Sequence, residues 1–161
     1  MPPRKPKPVI ICDSREKKPW DYSRDPAFAA QEVAALKSGD YSIKGLEDVI
    51  TVERKRDANE LIGNFTTDKD RLYREIDRLK EYKFAAIVIE QSLTQILNHE
   101  NYYIAKRFKN KKAPVAIVIQ NLINIMVEHG IMVIFAGKKA KGITKGLLLA
   151  AHKLHGSDST E

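Results

Sequence analysis

Asp40, Glu53 and Lys55 are the residues of this chain whose types and spacing most directly describe a reaction. Glu53 and Lys55 are two apart in a β-branched, strand-like run, and successive strand side chains alternate between faces. They therefore share one face, while Arg54 points to the other. Tyr41-Ser42-Ile43 and Val49-Ile50-Thr51-Val52, joined through Lys44-Gly45-Leu46-Glu47-Asp48, read as a hairpin. If residues 45–48 form the turn, Lys44 stands opposite Val49 and Asp40 falls opposite Glu53. Facing side chains in an antiparallel pair have Cβ atoms about 4.5–5.5 Å apart, a separation at which two carboxylates can share one cation. At that distance they repel unless a cation or a proton compensates them. Hard carboxylate oxygens suit Mg²⁺ or Mn²⁺. Such a metal polarises a phosphate and lowers the pKa of a bound water. A lysine on the same face orients that water or stabilises charge on the attacked phosphate. Together these are the parts of metal-dependent phosphodiester hydrolysis. The same pattern also describes a surface hairpin carrying a Glu–Lys decoration, and the register depends on the turn.

The elements that must position these groups follow from apolar spacing. Val9-Ile10-Ile11-Cys12 is a short buried-strand candidate that ends in the charged Asp13-Ser14-Arg15-Glu16. Residues 17–30, with Pro19 and Pro26, read as loop. Residues 29–37 are ambiguous, since their alanines favour helix but the segment runs into the breaker Ser38-Gly39-Asp40. Helices are expected over 58–65 and 68–82, the second with Leu72, Ile76 and Leu79 at helical spacing. Phe84–Ile89 reads as a central strand buried on both faces. Ser92 can cap a short helix to Leu97. Residues 98–112 form a basic loop, Pro114 starts a helix that Gly130 ends, and 131–135 is a further strand. A final helix covers 143–154. Strand 84–89, helix 114–129 and strand 131–135 make a βαβ unit whose strands should be parallel neighbours. The expected class is therefore α/β, a mixed β-sheet flanked by helices in a single domain. A basic Pro-rich arm (1–8) precedes the domain (9–155), and a polar tail (156–161) follows it.

Composition narrows the partners. The 161 residues carry 28 Lys and Arg against 21 acidic residues, a net charge of +7, which favours nucleic acid or another anionic surface. The single cysteine, Cys12, excludes a disulfide framework and a thiolate zinc site, and reads as a small buried residue. The four histidines show no metal-ligand spacing, and Ile143 stands where a phosphate-binding loop would need lysine. No apolar run has the length of a membrane span, and the amino terminus lacks the apolar core of a signal peptide. A reducing, cytoplasmic or nucleoid-associated setting with no membrane partner is expected. Lys106, Arg107, Lys109, Lys138, Lys139 and Lys141 lie in loops or helix starts, where they either hold a phosphate backbone or are solvated surface charges. Tyr102 and Tyr103 either stack on bases or lie in the core.

Gly39-Asp40-Tyr41 followed by Glu53-Arg54-Lys55 resembles the GDY…ERK signature of the XPF-type structure-specific endonuclease domain, a branch of the PD-(D/E)xK nucleases. Val9–Glu16 resembles that family's opening strand and its D-x-R-E. Leu36–Ser42 resembles its L-x-x-G-D-Y, the helix with Arg71 and Glu75 resembles the one after the motif, and Ile87-Val88-Ile89-Glu90 resembles its next strand. The resemblance covers about residues 9–153. It implies a restriction-endonuclease-like fold with a strand at about 32–37. It also implies that Asp40 and Glu53 are metal ligands for Mg²⁺ or Mn²⁺, that Lys55 is the catalytic lysine, and that Asp13 and Glu16 are further acidic groups near the metal. Arg15 would contact a phosphate or pair with Asp13 or Glu16, and Arg54 would turn to the site, to DNA or to the surface. The family often has Asp after the Lys where this chain has Asn59, and Asp57 or Glu60 stands beside that position.

The activity so implied is a metal-dependent DNA endonuclease acting on flap, fork or other branched DNA in repair, recombination or replication. The alternative is a catalytically silent DNA-binding or scaffolding subunit of the same fold, and helices 114–129 and 143–154 could form a homodimer face. The tail leaves no room for the helix-hairpin-helix module that follows the nuclease domain in eukaryotic and archaeal members. A stand-alone domain of this kind resembles those of bacteriophages and bacteria.

Overall fold

The computed structural model describes residues 4–98 and 113–155. Its strands are β1 (Val9–Asp13), β2 (Ala30–Ala34), β3 (Tyr41–Ile43), β4 (Ile50–Lys55), β5 (Phe84–Ile89) and β6 (Met132–Phe135). Its helices are α1 (Ala58–Phe65), α2 (Lys69–Leu79), α3 (Leu93–Leu97), α4 (Ala113–His129) and α5 (Ala140–His155), with a 3₁₀ turn at Gly137–Lys139. The six strands form one sheet in the order β2-β1-β3-β4-β5-β6. Only β3 runs against its neighbours, and β5 and β6 are parallel partners as the βαβ reading requires.

Several boundaries differ from the sequence reading, including the end of α2, which stops at Leu79 rather than at 82. The strand expected at about 32–37 lies at Ala30–Ala34, where β1 pairs with it in parallel. Four of its five residues are exposed, so neither face is apolar and no period of two could mark it. The connection between β3 and β4 spans 44–49, longer than the turn expected, yet Tyr41 still pairs with Val52 and the register holds. The last helix begins at Ala140, three residues early, because the 3₁₀ turn leads straight into it and Ala140 and Thr144 are buried on its inner side.

The sheet separates two apolar cores. On one face Ala85, Ile87 and Ile89 meet Leu61 and Phe65 of α1, Leu72, Ile76 and Leu79 of α2, and Val118, Leu122 and Ile125 of α4. On the other, Ile10, Cys12, Tyr41, Ile43, Val52 and Val88 meet Leu148 and Ala151 of α5 and the loop aromatics Tyr22 and Phe28. The alternation of β4 thus decides which face each of its last three residues reaches. Glu53 and Lys55 go to the α1/α2 side and Arg54 to the opposite side.

Candidate active site

The carboxyl ends of β1 and β4 lie side by side with the start of β3 between them, which brings Asp13, Asp40 and Glu53 onto adjacent strands. Asp40 brackets Glu53. Its N–H donates to the Val52 carbonyl at 2.8 Å, and its Oδ2 accepts from the Arg54 N–H at 2.8 Å. Its own carbonyl accepts from the Asp13 N–H at 2.8 Å. Asp40 is therefore held from both neighbouring strands, bonded to β4 on either side of Glu53.

Lys55 is 5 % exposed at its side chain, and its Nζ lies 3.3 Å from Glu53 Oε1 and 3.5 Å from Glu75 Oε1. Burial works against its charge, but Glu53, Glu75 and Glu60 outweigh burial and hold its pKa above the usual lysine value. The side chain is an ammonium group, a donor and a positive charge rather than a base. Burial pushes Asp40 up to about 6. Glu16 and Glu75 act in the same sense, while the Arg54 N–H and Lys55 pull the other way. Glu53 is raised well above the ordinary glutamate range, first by burial and then by the charges of Asp40 and Glu75, which Lys55 only partly offsets. Such a carboxylate pair favours a proton or a cation.

Asp40, Glu53 and Glu75 line an open cleft of about 640 Å³, and Lys55 lies buried behind them. Among the described residues, Ser38 and Gly39 are its only uncharged lining residues. Asp13, Glu16, Asp40, Glu53, Glu60 and Glu75 supply the negative groups. Arg15, Lys17, Lys18, Arg54, Arg56, Arg71 and Arg78 supply the positive ones around them. Glu75 is the main residue that sequence reasoning left out of the site. It comes from α2, and its Oε1 is buried with no hydrogen-bond partner. A signal existed: Arg71, Glu75 and Arg78 recur at helical spacing on one side of α2, next to the apolar stripe of Leu72, Ile76 and Leu79.

Other expected residues have different tasks. Both oxygens of Asp13 are occupied. Oδ1 accepts from the Leu36 N–H at 2.8 Å and from Arg15 Nη2 at 3.2 Å. Oδ2 accepts from Arg15 Nε at 2.8 Å and from its N–H at 3.2 Å. Burial alone would raise its pKa, but these donors outweigh burial and hold it below the usual value. Asp13 thus ties the end of β1 to the Leu36 segment. Arg15 is the partner in that tie and also donates to the Leu36 carbonyl at 2.7 Å, with much of its side chain still exposed at the cleft. Asp57 caps α1 by accepting from the Glu60 N–H at 3.0 Å and does not line the cleft. Glu60 does line it and accepts from the Arg56 N–H at 2.8 Å. Lys138, Lys139 and Lys141 lie at the 3₁₀ turn and the start of α5, outside the cleft. Lys106, Arg107, Lys109, Tyr102 and Tyr103 lie outside the described residues.

Arg54 departs most from expectation. Its Nε and Nη2 each donate to Glu90 at 3.0 Å, and its Nη1 donates to the Lys18 carbonyl at 2.6 Å. The guanidinium lies 4.1 Å from the centre of the Trp20 ring, and Trp20 in turn stacks on Tyr41. Arg54 therefore docks the loop after β1, which carries Lys17 and Lys18 to the cleft wall, while itself lining the cleft. Arg54→Ala should cost about 3–5 kcal/mol, since it strands Glu90 and removes the stack. Trp20 is the sole tryptophan, so its emission should shift to the red. Arg54→Lys should recover only part of the stability, because an ammonium lacks the planar fork. Urea unfolding together with unchanged Trp20 fluorescence in the alanine variant would remove the docking role.

A mixed six-stranded sheet flanked by helices, with carboxylates and a lysine gathered at the carboxyl ends of its parallel strands, defines a nuclease-type α/β domain. The ERCC4 domain model matches residues 12–142, and the chain belongs to this family of nuclease domains. Among solved structures, it is similar to XPF from Aeropyrum pernix, with TM-score 0.60 and 18% identity over 91% of this chain and 65% of that one. It is likewise similar to XPF from Aeropyrum pernix in complex with DNA, with TM-score 0.57 and 18% identity over 91% of this chain and 66% of that one. At that identity the likeness is one of fold, and the chain spans just under two thirds of those proteins' length. No curated protein sequence matches the chain significantly.

Proposed function

We propose that the protein is a divalent-metal-dependent DNA endonuclease whose cleft hydrolyses phosphodiesters in flap, fork or other branched DNA. The observation that carries this reading is the placement of Asp40 and Glu53 in the lining of a charged cleft, with the buried Lys55 ammonium 3.3 Å from Glu53 behind them. Among the described residues no three acidic, histidine or cysteine side chains close into a metal cage. Mg²⁺ does not need one, since it is commonly held by one or two carboxylates with waters and substrate phosphate completing its shell. The residues fit such an ion. Two neighbouring carboxylates have raised proton affinity, and the buried Glu75 oxygen beside them has no hydrogen bond beyond the Lys55 ammonium at 3.5 Å. Asp40 and Glu53 would hold the metal, which when bound supplies Lewis acidity and a water of lowered pKa. Lys55, kept protonated by Glu53 and Glu75, donates to the attacked phosphate or orients the incoming water. The loop held by Arg54 and the arginines of α2 supply the positive walls that receive the backbone. Nicking of a flap duplex in Mg²⁺ or Mn²⁺ should fall on the order of 10³-fold in Asp40→Ala and in Glu53→Ala. Cleavage surviving both substitutions would sink the site assignment.

A partner copy is the second part of this reading. α4 is apolar on nearly every side, which for a surface helix marks a face awaiting cover. Ile117, Ile123 and Val127 of α4 and Leu154 of α5 are large and exposed among the described residues. These helices would pair two copies of the chain. Light scattering should then give twice the chain mass at both low and high salt, and a monomer at every concentration would refute the pairing.

A further inference from the structure

We infer that Arg71 and Arg78 form a phosphate-binding rail along one wall of the cleft, kept open because Glu75 is diverted to Lys55. The inference rests on the endonuclease reading and adds to it the residues that would grip the DNA strand. Arg71 and Glu75 are four apart on α2, and Glu75 and Arg78 are three apart, spacings at which opposite charges ordinarily pair. Neither pair forms. Glu75 turns inward, only 15% exposed at its side chain, and its carboxylate lies against Lys55 at 3.5 Å. Both arginines line the cleft and are exposed, and among the described residues neither guanidinium takes part in an ion pair or hydrogen bond. Two positive forks are thus presented on a rigid helix beside the acidic floor, without their natural counter-charge.

The chemistry that satisfies such forks is a row of phosphates, which guanidinium groups bind bidentately. Seven residues of helix separate the two by about 10 Å, at 1.5 Å per residue. A nucleic-acid strand carries one charge per roughly 3.4 Å of its axis, so the pair spans about three nucleotide steps. Glu75 lies between them in the sequence and turns inward to the catalytic lysine. The same carboxylate therefore holds Lys55 and frees the rail. Arg74 supplies the internal comparison: it is exposed on the same helix but does not line the cleft.

The test is fluorescence anisotropy of a labelled flap duplex across a salt series, with the full chain and Ca²⁺ in place of Mg²⁺. The parent should bind with a steep dependence of log affinity on log salt. Arg71→Ala and Arg78→Ala should each flatten that slope by about 0.7–0.9 and weaken binding roughly tenfold, and the double variant should do about twice as much. Arg74→Ala should leave the slope close to that of the parent, and Arg71→Lys/Arg78→Lys should retain most of it. In Mg²⁺, KM of the double variant should rise while kcat at saturating DNA stays within about threefold. A parent that binds DNA with a slope the double variant shares would overturn the rail and leave the endonuclease reading standing. A parent that shows no salt-dependent binding to any DNA would overturn both.

Discussion

Metal-free Asp40→Asn protein should be more stable than the parent at pH 7 and should no longer cut DNA. The two effects have one origin. Asp40 has its pKa raised to about 6 by burial, aided by the charges of Glu16 and Glu75. A carboxyl group with a raised folded-state pKa contributes fully below its unfolded pKa, and that contribution is lost as pH rises through the folded value. The metal-free parent should therefore lose stability between about pH 4 and pH 6, and Glu53, also raised, should extend the loss to higher pH. The amide removes this penalty. Its oxygen can still accept from the Arg54 N–H, so the local backbone keeps its hydrogen bond. The gain should be about 1–3 kcal/mol, or roughly 2–12 °C in a thermal melt in EDTA at pH 7. At pH 4 the two proteins should melt together. Mg²⁺ or Mn²⁺ should stabilise the parent by mass action and the variant far less. Protons compete for the same oxygens, so metal affinity should fall as the pH is lowered through 6. An amide variant that melts below the parent in EDTA at pH 7 would show that the carboxylate stabilises the fold, contrary to this account.

Gly39→Ala should cost about 2–5 kcal/mol and lower nicking about 100-fold in whatever protein still folds. Gly39 has φ +81°, in the left-handed region that a side chain resists. A Cβ there would land on the Thr51 hydroxyl, which is buried and donates to the Ser38 carbonyl at 2.7 Å. Neither partner can yield without disturbing the β3–β4 pair. Asp40 is the next residue, so the strain falls directly on the carboxylate beside Glu53. The double variant Gly39→Ala/Thr51→Ala should recover the steric part of the loss but not the left-handed part. Urea unfolding separates the two, and a Gly39→Ala domain with parental stability would contradict the close approach.

The glycine also shows why the site was legible in the sequence. Gly39, Asp40, Glu53 and Lys55 all belong to one hairpin, and local pairing with strand alternation is enough to bring them together. The register survived even though the connection is longer than a four-residue turn, because Tyr41 and Val52 are both core residues and cannot slip by one position without leaving the core. The parallel pair β5–β6 was readable for a similar reason, since continuous apolar runs and one intervening helix admit few arrangements. What escaped depends on contacts distant in sequence. Arg54 finds Glu90 on the far side of two helices and Trp20 in an earlier loop, and no local pattern encodes either. Asp13 has the composition of a metal ligand, yet the Leu36 N–H, brought in by β2, fills one of its oxygens. Glu75 shares a helix face with Arg71 and Arg78, but that spacing reads as ordinary charge pairing on a solvated face until the helix is packed beside Lys55. β2 itself carries almost no apolar signal and exists through backbone pairing with β1.

The central claim is that the carboxylates of Asp40 and Glu53 serve to hold a metal for cutting DNA. It is tested most directly by nicking of a flap duplex by the parent and by Asp40→Asn, each first shown to be folded by its melt in EDTA. The account predicts cleavage by the parent that requires Mg²⁺ or Mn²⁺, and none by a variant that is at least as stable. Equal cleavage by the two proteins, or metal-independent cleavage by the parent, would contradict it.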